Sequence, residues 1–177
     1  VIPTVLLSFS TLYIVQKAAI SNTDVRTNEQ FSLIHIFIED MVFSTAKELS
    51  VVIGQDSFAQ FLNGDGGINN VKADFEGTME RHPEYLQMRF IENSGMEKLR
   101  LNRNKVGLNW VSEQGLQDKS NYYYFKQAMS MSPVDIYVSD LDLNMEFNKI
   151  ELPWRLVVRI GIKVFHKDKR AGIMLVN

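Results

Sequence analysis

The chain contains no cysteine among its 177 residues. This excludes disulfide bonds, thiolate metal ligands and cysteine nucleophiles. The chain also lacks a strong charge of either sign, because 19 basic and 21 acidic residues give a formal net charge of -2. Nucleic-acid-binding proteins normally present a basic surface, so we expect no nucleic-acid partner. With 45% apolar and 23% charged residues, the composition is that of a globular protein with one ordinary core.

Long hydrophobic runs are scarce as well. The most apolar run covers residues 1–15 and is followed by Gln16 and Lys17, and it is shorter than the roughly 18–20 residues that span a bilayer. Because the chain opens on Val rather than Met, we interpret residues 1–15 as the remnant of a transmembrane segment, with Tyr13 at its interfacial end. The alternative is a buried helix or strand end of a soluble domain, because Pro3 and several Ser and Thr residues dilute the hydrophobicity.

Proline is absent between Thr4 and Arg81, and we predict helices over most of residues 16–84. Residues at steps of three and four predict one long helix from about residue 23 to residue 54; they are Phe31, Ile34, Ile38, Met41 or Val42, Thr45, Leu49 and Val52. Residues 21–24 can all act as N-caps. One stripe of such a helix should pack on a sheet while another meets a partner helix, which favours a homodimer through this helix. Alternatively, the domain itself buries the whole apolar side. Shorter helices are predicted from Asp56 to the turn at residues 63–67, and over residues 71–81.

Alternating apolar and polar runs mark the region 85–177 as an antiparallel sheet. We predict strands at residues 85–92, 96–102, 135–139, 154–165 and 171–176, and a helix at residues 119–131. The turn at residues 93–95 should join the first two strands as a hairpin. In these two strands Met88, Phe90, Leu99 and Leu101 alternate with Arg89, Glu97, Arg100 and Asn102. One sheet face should therefore lie in a core and the other should face a pocket or solvent. The predicted class is α+β, with the long N-terminal helix packed on a five- or six-stranded antiparallel sheet.

Four blocks carry a family resemblance: YLQMRFIENSGMEKLRLNR, LQDKSNYYYF, VSDLDLNMEFNKIELPWRLVVRIGIKVF and AGIMLVN. Together they resemble the extracytoplasmic Cache (PDC) sensor domains of bacterial transmembrane receptors, whose sheet is PAS-like. The order of a long helix, a strand hairpin, a helix, a strand and a long hairpin is also similar. The resemblance implies the membrane-distal module of a double Cache domain, cut after residue 177 and before a second module.

A ligand-sensing function follows from the resemblance. It implies a periplasmic or extracellular domain, attached through flanking segments to the bacterial inner membrane, that signals to a histidine kinase, diguanylate cyclase or chemoreceptor output. The chain has no phosphate-cradling glycine loop, GGDEF-like run or phosphoacceptor helix motif. We therefore expect it to be no enzyme, with any kinase or cyclase output domain elsewhere in the full-length protein. The alternative is a ligand-free structural or dimerisation module of such a receptor.

The candidate ligand contacts lie in the sheet and in the helix at residues 119–131, which in Cache sensors covers the face that bounds the pocket. Tyrosine hydroxyls and a lysine can orient a carboxylate while aromatic rings shield it from water. The candidates are Arg89, Arg100, Trp110, Lys119, Tyr122, Tyr124, Tyr137 and Asp140. The bland alternative is that the aromatic residues of this helix pack on the sheet. Amino-acid-binding double Cache domains have an arginine close to their tryptophan, whereas Trp110 has none.

Three arginines, Arg89, Arg100 and Arg159, lie in predicted strands. A buried arginine is costly unless it is paired, so any that points inward should meet an acid or an anionic ligand. The available acids are Glu97, Asp118, Asp140 and Asp142. Internal salt bridges or exposed strand faces are the alternative to ligand binding, and the expected ligand is a small, anionic molecule such as a carboxylate.

Metal and catalytic sites have weaker support. Asp140, Asp142, Asn144 and Glu146 alternate as calcium ligands can, but the glycine-bearing loop of an EF-hand is missing. The three histidines, at positions 35, 82 and 166, are scattered, so we expect no metal and no cofactor. An enzyme would have to use Asp118 with Lys119 or Tyr122 as an acid and base pair, and no serine lies in a nucleophile elbow.

Overall fold

The computed structural model describes residues 2–146 and 149–177, and it describes the side chains of residue 27 and of residues 29–145 and 149–177. The chain divides into two compact units, Val1–Met41 and Val42–Asn177. Helix α1 (Ile2–Ile53) provides the first unit and continues into the second. Side chains of the predicted membrane-span remnant, residues 1–15, lie outside the described part. Within the described part, no helix has a stretch long and apolar enough to cross a bilayer.

The start of α1 differs from its predicted position. The helix begins at Ile2, so the potential N-caps at residues 21–24 lie inside it. Ser, Thr, Asn and Asp lower the stability of a helix interior only slightly, whereas Gly and Pro lower it more. Without Gly or Pro beside them, such residues do not mark the end of a helix. The apolar stripe is also divided: Thr45, Leu49 and Val52 are buried, whereas Phe31 and Ile38 are exposed. Among the described side chains of the helix, those that pack in the core belong to its last turns.

Two short helices follow α1 and cover one face of the sheet. They are α2 (Asp56–Asn63), which starts as predicted, and α3 (Ile68–Arg81), which starts three residues before its predicted position. Gly64 ends α2 in the left-handed conformation, with φ of 78°, as a glycine after a helix commonly does. The apolar side of α3 is fully buried through Val71, Phe75 and Met79. These helices and the end of α1 form one side of the main core.

The sheet has six antiparallel strands in the order β3-β2-β1-β10-β9-β4. The strands are β1 (Gln87–Glu92), β2 (Glu97–Arg103), β3 (Leu108–Trp110), β4 (Tyr137–Val138), β5 (Asp142–Leu143), β6 (Met145–Glu146), β7 (Lys149–Ile150), β8 (Leu156–Val157), β9 (Ile160–His166) and β10 (Lys169–Val176). Strand β5 pairs with β8, and β6 with β7, as separate two-stranded ribbons. The six-stranded sheet and its hairpin are as predicted. Strand β3 was not predicted, and the predicted strand 154–165 is two strands.

The two faces of the sheet contact different helices. Met88, Phe90, Leu99 and Leu101 all lie in the core under α1, α2 and α3, as their alternation predicts. Helix α4 (Tyr123–Ser130), within the predicted helix 119–131, covers the other face. There a smaller apolar cluster consists of Ile91, Tyr124, Phe125, Ala128, Tyr137, Ile173 and Leu175. The rest of the α4 face is polar, and it carries most of the candidate ligand contacts.

Gly95 fixes the loop that enters this polar region. It lies in the β1–β2 hairpin with φ of 96°, and a Cβ atom there would lie 2.5 Å from the Cβ of Ser120. The backbone N–H of Lys119 donates a hydrogen bond of 2.7 Å to the Gly95 carbonyl oxygen. Only glycine combines this positive φ with so close an approach of another chain segment. The hairpin thus holds Lys119 against the sheet.

Candidate functional site

Four basic side chains are buried together with two acids on the α4 side of the sheet. We call Arg89, Arg100, Lys119 and Arg159 the cationic cluster; none is more than 5% exposed. They come from β1, β2, the loop before α4 and the residue before β9. The acids in contact with them are Glu97, fully buried, and Asp142, whose side chain is 33% exposed. Buried charges are rare unless they are paired, so each contact matters.

Glu97 joins two of the arginines. Its two carboxylate oxygens lie 3.3 Å from Nη1 of Arg89 and 3.3 Å from Nη1 of Arg100. The backbone N–H of Gln117 donates a third hydrogen bond, of 3.0 Å, to the same carboxylate. The predicted pairing of inward arginines with acids is therefore confirmed for Arg89 and Arg100. One carboxylate shared by two guanidinium groups leaves this part of the site with a positive charge.

The third arginine is paired through a separate ribbon. Nη1 of Arg159 lies 3.3 Å from Oδ2 of Asp142, and the hydroxyl of Tyr123 donates to the same oxygen at 3.0 Å. Asp142 lies on β5, whose partner β8 ends two residues before Arg159 in the chain. The pairing of two-residue strands thus brings an acid to an arginine that is 17 positions away.

Tyr124 lies between two guanidinium groups. The centre of its ring is 5.6 Å from Cζ of Arg89 and 4.8 Å from Cζ of Arg159. Its hydroxyl accepts a hydrogen bond of 3.3 Å from Nη1 of Arg89. Burial raises the pKa of Tyr124 above its usual value, although both arginines oppose the shift. The phenol is therefore neutral at physiological pH, and the face of its ring forms cation–π interactions with the two guanidinium groups.

Two donors of the cluster lack a partner in the part of the chain that the structure describes. The Nε atoms of Arg89 and Arg159 are buried and lack a hydrogen-bond acceptor within the described residues. Most buried polar groups are hydrogen-bonded, so each such N–H requires an explanation. An oxygen of a bound molecule or a water would satisfy them. Together with the excess of positive charge, these N–H groups make the cluster suited to an anion that presents oxygen atoms.

Lys119 completes the cluster beside a second aromatic ring. Its Nζ donates a hydrogen bond of 2.8 Å to Oε1 of Gln117 and lies 4.4 Å from the centre of the Tyr122 ring. The rings of Tyr122 and Tyr124 are 5.6 Å apart. Asp118, the acid of the enzyme alternative, is exposed, and its carboxylate accepts the backbone N–H of Ser120. The acid and base of the enzyme alternative thus lie in different environments, because Asp118 is exposed to water and Lys119 is buried.

Five of the eight predicted ligand contacts meet in this region, namely Arg89, Arg100, Lys119, Tyr122 and Tyr124. Tyr137 lies in the apolar cluster on the same face, where its hydroxyl donates to Oε1 of Gln127 at 3.1 Å. Burial, the largest cause, raises the pKa of Tyr137 to about 12. Asp140 is exposed, and no side-chain contact joins it to the cluster within the described residues.

The structure contradicts the prediction that Trp110 contacts the ligand, because Trp110 lies on the opposite face of the sheet from the cationic cluster. In β3 it pairs with Leu101, a core residue. Its ring contacts Phe75 with centroids 5.6 Å apart, and its Nε1 donates to Oε1 of Glu76 at 2.5 Å. Both partners belong to α3. Because adjacent positions of paired strands share a face, Trp110 packs with Leu101 and away from the cationic cluster.

Sequence reasoning missed two contributors to the site, Tyr123 and Asn177, and it named a third, Asp142, as one of the four acids available to the arginines, which the pairing with Arg159 confirms. Tyr123, which the alternative interpretation would pack on the sheet, is exposed, and its hydroxyl donates to Asp142. Asp142 was considered for calcium; the side chain of Glu146 lies outside the described residues, and no group of three potential metal ligands occurs within them. Asn177 accepts a hydrogen bond of 2.8 Å from Nη2 of Arg89. The alternation of Ile173 and Leu175 in β10 was the available signal for it.

The comparisons with known proteins agree with this fold. The family described as "Bacterial histidine kinase, sensor domain" matches residues 68–177. No curated protein matches the chain. A solved domain assigned to the sensory box/GGDEF family, from Vibrio parahaemolyticus, has a TM-score of 0.70 and 22% identity, over 79% of this chain and 52% of that one. The extracellular domain of vpHK1S-Z8, described as a histidine kinase, has the same TM-score and identity, over 79% of this chain and 50% of that one.

A third neighbour is the ligand-binding domain of the Campylobacter jejuni chemoreceptor Tlp3 in complex with L-norvaline. Its TM-score is 0.57 at 17% identity, over 78% of this chain and 51% of that chain. This chain therefore spans about half the length of these structures. The structural likeness confirms the PAS-like Cache (PDC) fold, and the family match covers more than half of the chain. The chain belongs to the bacterial histidine kinase sensor domain family.

Proposed function

We propose that this sensor domain binds a small anionic ligand at the cationic cluster, on the outer side of a bacterial membrane. One observation supports the ligand class above all. Four buried basic side chains lie together with two acids, Glu97 and Asp142, and two buried Nε donors lack an acceptor within the described residues. A carboxylate would lower the repulsion between the guanidinium groups and accept their N–H bonds. The receptor's anchor in the inner membrane and its output domain are part of the same proposal.

The same strands connect the ligand site to α1. Arg89 points to the ligand side of β1, while its neighbours Met88 and Phe90 pack in the core with Leu49 of α1. Near the start of β1, the hydroxyl of Tyr85 donates to Oγ1 of Thr45 in α1 at 3.2 Å. A ligand that draws α4 and β1 together would therefore move the sheet against the last turns of α1. Such a shift can pass to the membrane as a small rotation or piston movement of helices.

A homodimer through α1 is the expected assembly. Several apolar side chains of α1 in the unit Val1–Met41 are largely exposed, including Phe31 at 66%, Leu33 at 67% and Phe37 at 70%. Contiguous exposed apolar surface generally marks an interaction site. Analytical ultracentrifugation at high protein concentration tests this assembly, and Phe37→Lys should shift the protein towards monomer. A wild-type protein that sediments only as monomer would contradict it.

Thermal stability in the presence of candidate ligands tests the proposed function. Any ligand that binds only the folded state raises the melting temperature, by an amount that grows with its concentration. The panel should contain propionate, lactate, succinate and malate, and also L-valine and L-isoleucine, because valine and isoleucine were bound to Tlp3. Anionic members should stabilise the wild type. Failure of every compound would favour a ligand-free structural or dimerisation module instead.

A pair of arginine variants makes this test specific to the site. Arg159→Gln removes a member of the cationic cluster and should abolish the stabilisation by the anion. Arg155→Gln is the matched control, because Arg155 lies on the same segment but pairs only loosely with Glu151, at 3.9 Å. It should retain the full ligand-induced shift. Equal loss in both variants would indicate that the anion binds elsewhere.

A further inference from the structure

Asp142 presents a carboxylate to the groups that an anionic ligand would need. Its Oδ2 accepts hydrogen bonds from Nη1 of Arg159 and from the hydroxyl of Tyr123, at 3.3 and 3.0 Å. Its Oδ1 accepts the backbone N–H of Leu143 at 2.7 Å. Arg159 in turn rests on the ring of Tyr124, in the middle of the site. The Asp142 carboxylate therefore already binds Arg159, one of the arginines of the cationic cluster.

Besides Asp142, the segment that carries it is attached through the buried side chain of Val157 in β8, which is 4% exposed. Strands β5 and β8 pair through only two residues each, and we call them the β5–β8 ribbon. Its outward side is apolar yet exposed, with Leu141 at 66% and Leu156 at 63%. One further link is the hydrogen bond of 3.3 Å from Nδ2 of Asn177 to Oδ1 of Asn144, just after β5. Elements with little buried apolar area open at low free-energy cost. The contact of Asp142 with Arg159 and Tyr123 thus holds the ribbon on the site together with the buried Val157 and the bond from Asn177 to Asn144.

We infer that the carboxylate of Asp142 stands in for the ligand, and that an anionic ligand displaces it from Arg159 and Tyr123 and frees the β5–β8 ribbon. This inference rests on the proposed function. The exchange replaces one carboxylate by another, so Arg159 keeps a negative partner and no new buried charge is left unpaired. Displacement of Asp142 then converts ligand binding into movement of a defined segment.

The inference also narrows the ligand to acids without an α-amino group. An ammonium group requires an acceptor, and Glu97 already accepts from Arg89, Arg100 and Gln117. Asp142, the other acid of the site, is the group that leaves. An α-amino group would therefore lie close to guanidinium groups without a carboxylate of its own, which is unfavourable at short range. We expect aliphatic mono- or dicarboxylates to bind in preference to amino acids.

Isothermal titration of the purified full chain with propionate, succinate and L-valine tests the exchange. Asp142→Asn keeps the shape of the side chain but removes the competing charge, so the carboxylates should bind roughly 10-fold more tightly to it than to the wild type. Glu113→Gln is the charge-matched control, because Glu113 is exposed in a turn, and it should leave the affinity unchanged. Equal or weaker carboxylate binding by Asp142→Asn, or tight binding of L-valine that requires Asp142, would overturn the inference.

Hydrogen exchange provides a readout that does not depend on affinity. In Asp142→Asn without ligand, the amides of β5 and β8 should exchange faster than in the wild type, while those of β1 and β2 should not. The carboxylate should produce the same change in the wild type. Unchanged or slower exchange in the ribbon would overturn the inference, even if a carboxylate binds. If no probe binds to wild type or variant, the proposed function fails and the inference fails with it.

Discussion

The two faces of β1 and β2 are equally buried but have opposite chemistry. On one face Met88, Phe90 and Leu101 are at most 2% exposed and pack with apolar residues of three helices. On the other, Arg89 and Glu97 are just as buried, at 2% and 0%. The apolar face needs nothing beyond close packing to be stable. The charged face must compensate the loss of hydration with ion pairs, and it still leaves the Nε of Arg89 without an acceptor within the described residues.

This difference is the reason why we propose the charged face as the ligand-binding one. A buried ion pair is weak evidence for stability, because well-packed apolar residues of similar volume are often as stable or more stable. Polar groups that the fold does not require are therefore candidates for binding. The apolar face also contacts α1. Because the same strands carry both faces, a movement of the strands caused by a change on the charged face also moves the surface that packs on α1. The following variants test whether the two faces differ in this way.

Loss of the shared carboxylate should have the largest effect. Glu97→Gln leaves Arg89 and Arg100 buried without an acid between them, and we expect a loss of about 3–5 kcal/mol in the free energy of unfolding. The control is Glu92→Gln, which breaks a surface pair with Lys98 at 3.3 Å and should cost at most about 1 kcal/mol. Urea denaturation measures both. Similar losses for the two variants would mean that the charged face is solvated and not comparable with the core.

The alternation of β1 and β2 made both faces predictable from sequence. Six or seven residues with a turn between them are enough to show a period of two, so the core positions and the inward arginines could be assigned. The same reasoning failed for β3, β5 and β8, which have three, two and two residues. Such strands are too short to show any period. The misplacement of Trp110 on the ligand side is a direct consequence, because its face depends on the pairing of β3.

Long-range contacts set the rest of the site. The need of a buried arginine for an acid was predictable, and Glu97 lies three positions from Arg100. The pairing of Arg159 with Asp142 instead depends on how β5 meets β8, and that of Arg89 with Asn177 on the register of β1 against β10. Local sequence specifies neither register. In the same way, capping residues could not show that α1 continues through residues 21–24, because a cap is used only where the chain turns away.

Gly95→Ala should have the next largest effect and should act on the charged face alone. A Cβ at this position would meet Ser120 at 2.5 Å and would require a positive φ of a non-glycine residue. We expect a loss of roughly 1–3 kcal/mol, with displacement of the loop that carries Lys119. Heteronuclear NMR spectra should show shifts in residues 117–120 and α4 but not in α2 or α3. Equal perturbation of both faces would contradict the separation that we describe.

The apolar end of the α4 face can be compared with its charged end through pH. Because burial raises the pKa of Tyr137 to about 12, the unfolded chain ionises this phenol near pH 10 while the folded chain keeps it neutral. Between pH 10 and 12 the unfolded state thus binds fewer protons, and stability falls by roughly 2 kcal/mol. Below pH 10 the group has no such effect. In Tyr137→Phe the alkaline loss should be smaller by this amount, as measured by urea denaturation at pH 8 to 11.5. An identical loss of stability at alkaline pH in wild type and variant would show that the Tyr137 phenol is exposed to solvent in the folded protein.

The smallest expected effect on stability belongs to the most extensive change. In Arg89→Met combined with Glu97→Leu and Arg100→Met, all three partners of the buried network become apolar, so no uncompensated charge remains. We expect the triple variant to lie within about 1 kcal/mol of the wild type, and so to be more stable than Glu97→Gln alone. Anion binding should be lost completely. A triple variant as unstable as the single one would mean that the charged face supports the fold itself, and the two faces would then differ in chemistry but not in role.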